Sequence, residues 1–191
     1  KDLHLGEWDF MDRNLGAKSV DDHGLYFQWG RKDPFSSIIE FDSGKGEGKF
    51  HPVAGGANDD ENVKNTVEYS VAHPDTYIRA SSRNNDWLLE APQRYLWGVN
   101  FEADGLAAKS SIKTIYDPCP AGYSVCTANA LAAGLGAGAS NQGSFITLFN
   151  GQLKIPASGF LYSGGYGWFN QEGFCGLWSC STSWSNPENA F

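Results

Sequence analysis

Seven tryptophans and 23 glycines interleave along this 191-residue chain, and that pairing narrows the folds open to it more than any other feature. Large rings need a packed interior, whereas a glycine inside a helix costs about 1 kcal/mol relative to alanine. Short strands joined by long, ordered loops meet both demands. Helix bundles want Ala, Leu, Glu and Lys, and only one stretch here has that character. A chain of this length can bury about 70% of the surface it exposes when unfolded, so one domain with a sizeable core is expected over 1–191. No repeat of fixed period and no Pro- or Ser-rich linker divides it.

Charge removes several function classes. Lys and Arg number 14 against 22 Asp and Glu, a formal net charge of −8. Nucleic acid and anionic membrane surfaces would repel such a chain. No basic run rises above a pair such as Arg31-Lys32, expected to be solvated. No apolar run approaches the roughly 18 residues of a membrane span, so no membrane insertion is expected. Lys1-Asp2 does not open a signal peptide, which leads us to expect a mature soluble product or a trimmed one.

Local signals place the elements. The aromatic-rich segment 7–12, closed by the turn signal Asn14-Leu15-Gly16, reads as a strand, and so does 24–30, bounded by Gly24 and Gly30. Residues 41–62 carry loop chemistry with a hairpin around Gly44 and Gly46. Asp59 or Asp60 is a suitable N-cap for a helix over 61–72, in which Val63, Val67 and Val71 recur every four residues, and His73-Pro74 closes it. Thr127 caps a second helix over 128–135 that stops at Gly136. Strands are expected at 145–149, 152–155 and 158–162, followed by a Gly- and ring-rich run to Trp184.

Cys119, Cys126, Cys175 and Cys180 all lie in the second half. An even count suits two disulfides and an oxidising compartment, with the connectivity open. A structural zinc site would need Cys-x6-Cys, wider than the usual spacing of two to four.

Several segments together resemble one family. Residues 8–17, Trp8-Asp9-Phe10-Met11-Asp12-Arg13-Asn14-Leu15-Gly16-Ala17, are similar to the opening block of the major paralogous domain of Bacteroidetes-type surface proteins. Residues 24–35 resemble its second block, Asp117-Pro118-Cys119-Pro120-Ala121-Gly122-Tyr123-Ser124-Val125 its central block, and Pro156-Ala157-Ser158-Gly159 with Leu177-Trp178-Ser179 its close. The blocks stand in family order across nearly the whole chain. The resemblance implies an α+β, C-type-lectin-like fold with twisted antiparallel sheets, two helices and long ordered loops. It also implies an extracellular or cell-surface setting, anchored through a region outside this chain.

The departures from the family carry information too. Cys126 and Cys180 stand where the family has other residues, in two blocks that this fold brings together, which implies that they bond to each other and leaves Cys119 for Cys175. The family's final strand is not found before Phe191. A sheet edge left open in that way would invite strand addition by a partner.

Among the rings, Trp8, Trp29, Trp97 and Trp178 lie in or beside the blocks and are expected in the core. Trp168, within Gly164-Gly165-Tyr166-Gly167-Trp168-Phe169-Asn170, is as well suited to contact as to packing, because glycines around rings are how loops present surface. Tyr166, Trp168, Asn170 and Trp184 are therefore the candidate ligand-binding residues, with loops 42–60 and 163–175 as the presenting segments. Asp59 and Asp60 are weak metal candidates. They lack the spacing of a calcium loop, and the sugar-binding motifs of calcium-dependent lectins are absent, so no cofactor is expected beyond a calcium ion at most.

His4, His23, His51 and His73 are scattered without a nucleophile motif. The formylglycine-generating enzymes share the broad fold and use cysteines, but the sequence around Cys175 and Cys180 holds no basic neighbour to lower a thiol pKa. The expected function is therefore non-enzymatic: a cell-surface or pilus-tip adhesion module that binds a glycan or host protein through loops. The alternatives are a structural subunit of a surface assembly, docked on neighbouring subunits, and, more remotely, a formylglycine-type enzyme.

Overall fold

In the computed structural model, residues 2–34, 40–42, 47–49, 53–82, 86–89, 95–99, 112–158, 160–161, 168–169 and 176–181 are described, with only the backbone for 40–42, 47–49, 99, 160–161 and 168–169. The chain is α+β, with small sheets and few, short helices. It opens with a hairpin of β1 (Asp2–Leu5) and β2 (Trp8–Met11), in which Leu5 faces Trp8 across a turn at Gly6. The sequence reading found β2 but not β1.

A second hairpin joins β3 (Glu40–Asp42) to β4 (Glu47–Lys49), pairing Asp42 with Glu47 around the glycines that signalled it. Next come β5 (Val53–Ala54), α1 (Glu61–Lys64), α2 (Val67–Ala72) and β6 (Tyr77–Ile78). β5 and β6 pair parallel, a departure from the expected antiparallel sheets. β7 (Gly98–Val99) and β8 (Ile112–Lys113) are antiparallel and lead to α3 (Ala128–Gly136). The central strand of the one three-stranded sheet is β10 (Phe145–Leu148), flanked by β9 (Ser140–Asn141) and β11 (Leu153–Pro156). The last hairpin is β12 (Phe160–Leu161) with β13 (Trp168–Phe169).

Helix α3 follows its sequence signals: the Thr127 hydroxyl accepts from the Ala130 N–H at 3.3 Å. The expected helix over 61–72 is instead two, so the described residues hold three helices where two were expected. Asn65 breaks it, because its buried carboxamide is committed elsewhere, and Thr66 starts α2 afresh by accepting from the Tyr69 N–H at 3.1 Å. Capping by Asp59 or Asp60 is also corrected. Asp60 precedes α1 in left-handed backbone with no side-chain cap, and Asp59 is turned toward Lys64. The valine stripe is not an inner face either, since Val63 and Val71 are 58% and 59% exposed and only Val67 packs inward.

Two hydrophobic clusters hold the molecule together. Trp29, Ile78, Trp87, Leu88, Leu96, Trp97 and Cys180 form one. Leu5, Leu148, Phe149, Leu153 and Ile155 form the other, with Phe10 tilted against Phe149 at a centroid distance of 5.4 Å. Fully burying aliphatic side chains such as Ile78 and Leu148 is worth about 1.5–3 kcal/mol each. Residues 176–181 thread between the clusters: Leu177 packs on the second and Cys180 lies inside the first.

Two expectations about the tryptophan-rich segments change. Residues 24–30 are not a strand; only Tyr26 forms an isolated bridge. This stretch drives Trp29 into the core, where its indole N–H donates to the Ser179 carbonyl at 3.0 Å, while the Gln28 amide donates to the Ile78 carbonyl at 2.6 Å. Trp178 is at the rim rather than in the core. It is 45% exposed, its ring meets Trp97 edge-on, and its N–H is spent on the Phe27 carbonyl at 3.0 Å.

Arg31 is not solvated. It is 3% exposed, and its guanidinium donates to Gln28 Oε1 and to the carbonyls of Ser70, His73, Pro74 and Thr76. A carbonyl-lined pocket replaces most of the water that a buried guanidinium loses. Burial pushes its pKa down to about 10, which leaves it charged at neutral pH.

Candidate binding surface

Two hairpins define the surface. The β3–β4 hairpin lies in the first loop expected to present contacts, and the β12–β13 hairpin opens into the second. Strand β13 lies against β4, so segments about 120 residues apart in sequence become neighbours. Trp168 sits in this contact region, in β13 and in register with Leu161. The other ligand-binding candidates, Tyr166, Asn170 and Trp184, lie outside the described residues.

The scaffold next to the first hairpin is held by buried polar groups. Asn65 is completely buried. Its Oδ1 accepts from the Gly56 N–H at 2.8 Å, its Nδ2 donates to the carbonyls of Arg79 at 2.8 Å and Trp87 at 2.6 Å, and its own carbonyl accepts from the Leu89 N–H at 2.9 Å. One side chain thus ties the loop after β5 to the strand end at β6 and to the tryptophan core. The sequence held a signal for it: an Asn-Thr pair inside a helical pattern is capping chemistry out of place.

Asp117 does the same work in the central block. Its buried carboxylate accepts from the N–H groups of Cys119 at 2.8 Å and Val125 at 2.9 Å and from the Lys113 ammonium at 2.5 Å. This closes the Pro118-Cys119-Pro120 turn upon itself. The chemistry here is structural, because every oxygen of Asp117 faces a donor of its own loop.

Asp59 and Asp60 do not come together as a metal site. Asp59 Oδ2 accepts from the Gly55 N–H at 3.1 Å, and Oδ1 takes the Lys64 ammonium, which holds the Asp59 carboxyl below its usual range. Among the described residues no group of three or more His, Cys, Asp or Glu is placed to hold a metal ion.

No family model, curated protein or solved structure matches the chain.

His23 Nδ1 meets the Ser158 hydroxyl at 3.1 Å, a contact across 135 residues that spacing could not disclose. The hydroxyl also donates to the Pro156 carbonyl at 3.2 Å. Asp22, which would have to orient the imidazole, accepts instead from the N–H groups of Lys18 and Gly24. The Ser158 hydroxyl lies on a carbonyl and, among the described residues, no carboxylate hydrogen-bonds the His23 ring, an arrangement that suits a structural contact.

Among the described residues no disulfide joins Cys119, Cys126 and Cys180, and Cys175 lies outside them. Burial pushes both Cys119 and Cys126 up to about 12, opposite to the direction a nucleophilic thiol requires. Among the described residues no helix is long and apolar enough to cross a membrane.

Proposed function

We propose that this chain is a cell-surface binding module of C-type-lectin-like fold, and that the joined β3–β4 and β12–β13 hairpins are the face it presents to a glycan or a host protein. The observation that carries this reading is the juxtaposition of β4 and β13. It merges two glycine-rich segments, each suited by composition to contact, into one surface. Elsewhere in the chain, Asn65 and Arg31 pin a buried polar frame, the kind of preorganised scaffold that loop-borne recognition needs. Family order of the four sequence blocks supports the lectin-like fold and the surface setting. Binding rather than catalysis is favoured by the raised thiols and by the arrangement around Ser158.

The test is a glycan array, run with and without calcium, alongside binding to immobilised host matrix proteins. A ligand found there should bind Trp168→Ala at least tenfold more weakly, with the thermal unfolding of the variant unchanged. Unaltered binding by that variant would remove the two hairpins as the contact face.

A further inference from the structure

Besides the Trp178 indole on the Phe27 carbonyl, three hydrogen bonds stitch residues 176–181 into the molecule. The Cys180 N–H donates to the Cys126 carbonyl at 2.9 Å, the Ala128 N–H to the Ser181 hydroxyl at 3.0 Å, and the Trp29 indole to the Ser179 carbonyl at 3.0 Å. The first sets the backbones of Cys126 and Cys180 directly side by side. A main-chain contact of that kind places two residues at about 5–6 Å between Cα atoms, the separation at which disulfides form without moving the chain. Cys180 is buried inside the tryptophan cluster, and next to burial it is the foremost influence on the Cys126 thiol. Cys119 is placed differently. Its N–H donates to Asp117 Oδ1 at 2.8 Å and its carbonyl accepts from the Lys113 ammonium at 2.7 Å.

We propose that Cys126 and Cys180 are a covalent modification site, oxidised to a disulfide that clamps residues 176–181 onto the entry of α3 and so joins the two hydrophobic clusters. Two S–H bonds break and one S–S bond forms. The two electrons and two protons pass to an external disulfide, such as oxidised glutathione or the disulfide of an oxidoreductase, which is reduced to two thiols. Thiol–disulfide exchange needs a thiolate and access to the attacking sulfur; in the folded protein Cys180 is 2% exposed, and burial pushes the half-buried Cys126 thiol up to about 12. The bond therefore closes while the chain folds and is resistant to reduction afterwards.

The experiment is refolding of the full chain in a glutathione redox buffer, alkylation of remaining thiols, and peptide mapping by mass spectrometry without reduction. The expected product is a Cys126–Cys180 cross-linked peptide, which persists in Cys119→Ser. Mapping of Cys126 to Cys119, of Cys180 to Cys175, or alkylation of Cys126 and Cys180 after oxidative refolding would each overturn the proposal. The timing has its own readout. Reduced, folded protein exposed to oxidised glutathione should form the bond at least tenfold more slowly than refolding chain, and equal rates would refute closure during folding. None of these measurements depends on a ligand, so their outcome is separate from that of the binding test.

Discussion

The indole N–H of Trp87 donates to the main-chain carbonyl of Trp29 at 2.8 Å, so two of the three indoles of the first cluster are coupled through the backbone. Trp29 in turn donates to Ser179, and Trp97 donates to the Arg31 carbonyl at 3.0 Å. Each of these buried indoles therefore fixes a loop as well as filling space. Trp87→Phe keeps a ring but leaves the Trp29 carbonyl without this donor. We expect a loss of about 1–3 kcal/mol in urea denaturation. A loss below about 0.5 kcal/mol would show that packing alone accounts for Trp87.

Arg31 is expected to be among the most sensitive positions. Arg31→Met preserves much of the stem's packing but takes this donor from the buried contacts with the Ser70 and Thr76 carbonyls, as well as from the more exposed carbonyls of His73 and Pro74. The cost should be about 3 kcal/mol or more, and Arg31→Lys should recover less than half, because an ammonium cannot span the same fork of acceptors. Equilibrium unfolding of the two variants against the parent measures both.

These two positions also show what the sequence could and could not disclose. Helix α3 was legible because Thr127 acts within a few residues of the helix it starts, and the β3–β4 pairing because turn-forming residues fall between its two strands in the sequence. Strands β10 and β11 were legible from their apolar runs. Arg31 was not, because its partners are backbone carbonyls 39 to 45 residues away, and a carbonyl has no letter in a sequence. Residues 24–30 look like a strand since rings crowd them, yet the rings there serve three-dimensional packing rather than pairing. For the candidate surface, each glycine-rich segment could be singled out, but the adjacency of β4 and β13 is a property of topology.

Glycines divide into two groups by what a methyl group would meet. Gly24 has φ +77°, and an added Cβ would lie 2.6 Å from the Leu15 carbonyl oxygen, a backbone atom already accepting from the Leu25 N–H. Gly143, at φ +80°, faces open space. Gly143→Ala should cost only the left-handed backbone penalty of about 1–2 kcal/mol, and Gly24→Ala at least about 1 kcal/mol more. Similar thermal shifts for the two would contradict this.

Acid should weaken the fold through carboxylates held in the ionised form. Hydrogen bonds from the Lys18 and Gly24 backbones lower the Asp22 pKa, and the Arg13 side chain lowers that of Asp12. A carboxyl depressed in the folded state contributes stability above its ordinary value of 3.8, and that contribution disappears as the pH falls through the lower, folded-state value. Urea midpoints should therefore fall as the pH drops below about 4. Asp22→Asn should make that decline shallower while lowering the midpoint at pH 7, and parallel pH profiles for variant and parent would count against the assignment.

The meeting of β4 with β13 has a further consequence for how the surface is inherited and recognised. Its two halves are encoded by separate stretches of the gene, with Ile78, Trp87, Leu88, Leu96 and Trp97 of the tryptophan cluster written between them. No short peptide cut from the chain can reproduce the face, and antibodies raised against it should be conformational, losing their epitope when the protein is unfolded. Substitutions in one hairpin can alter half of the face while the other half stays constant, so specificity can drift in steps without refounding the fold.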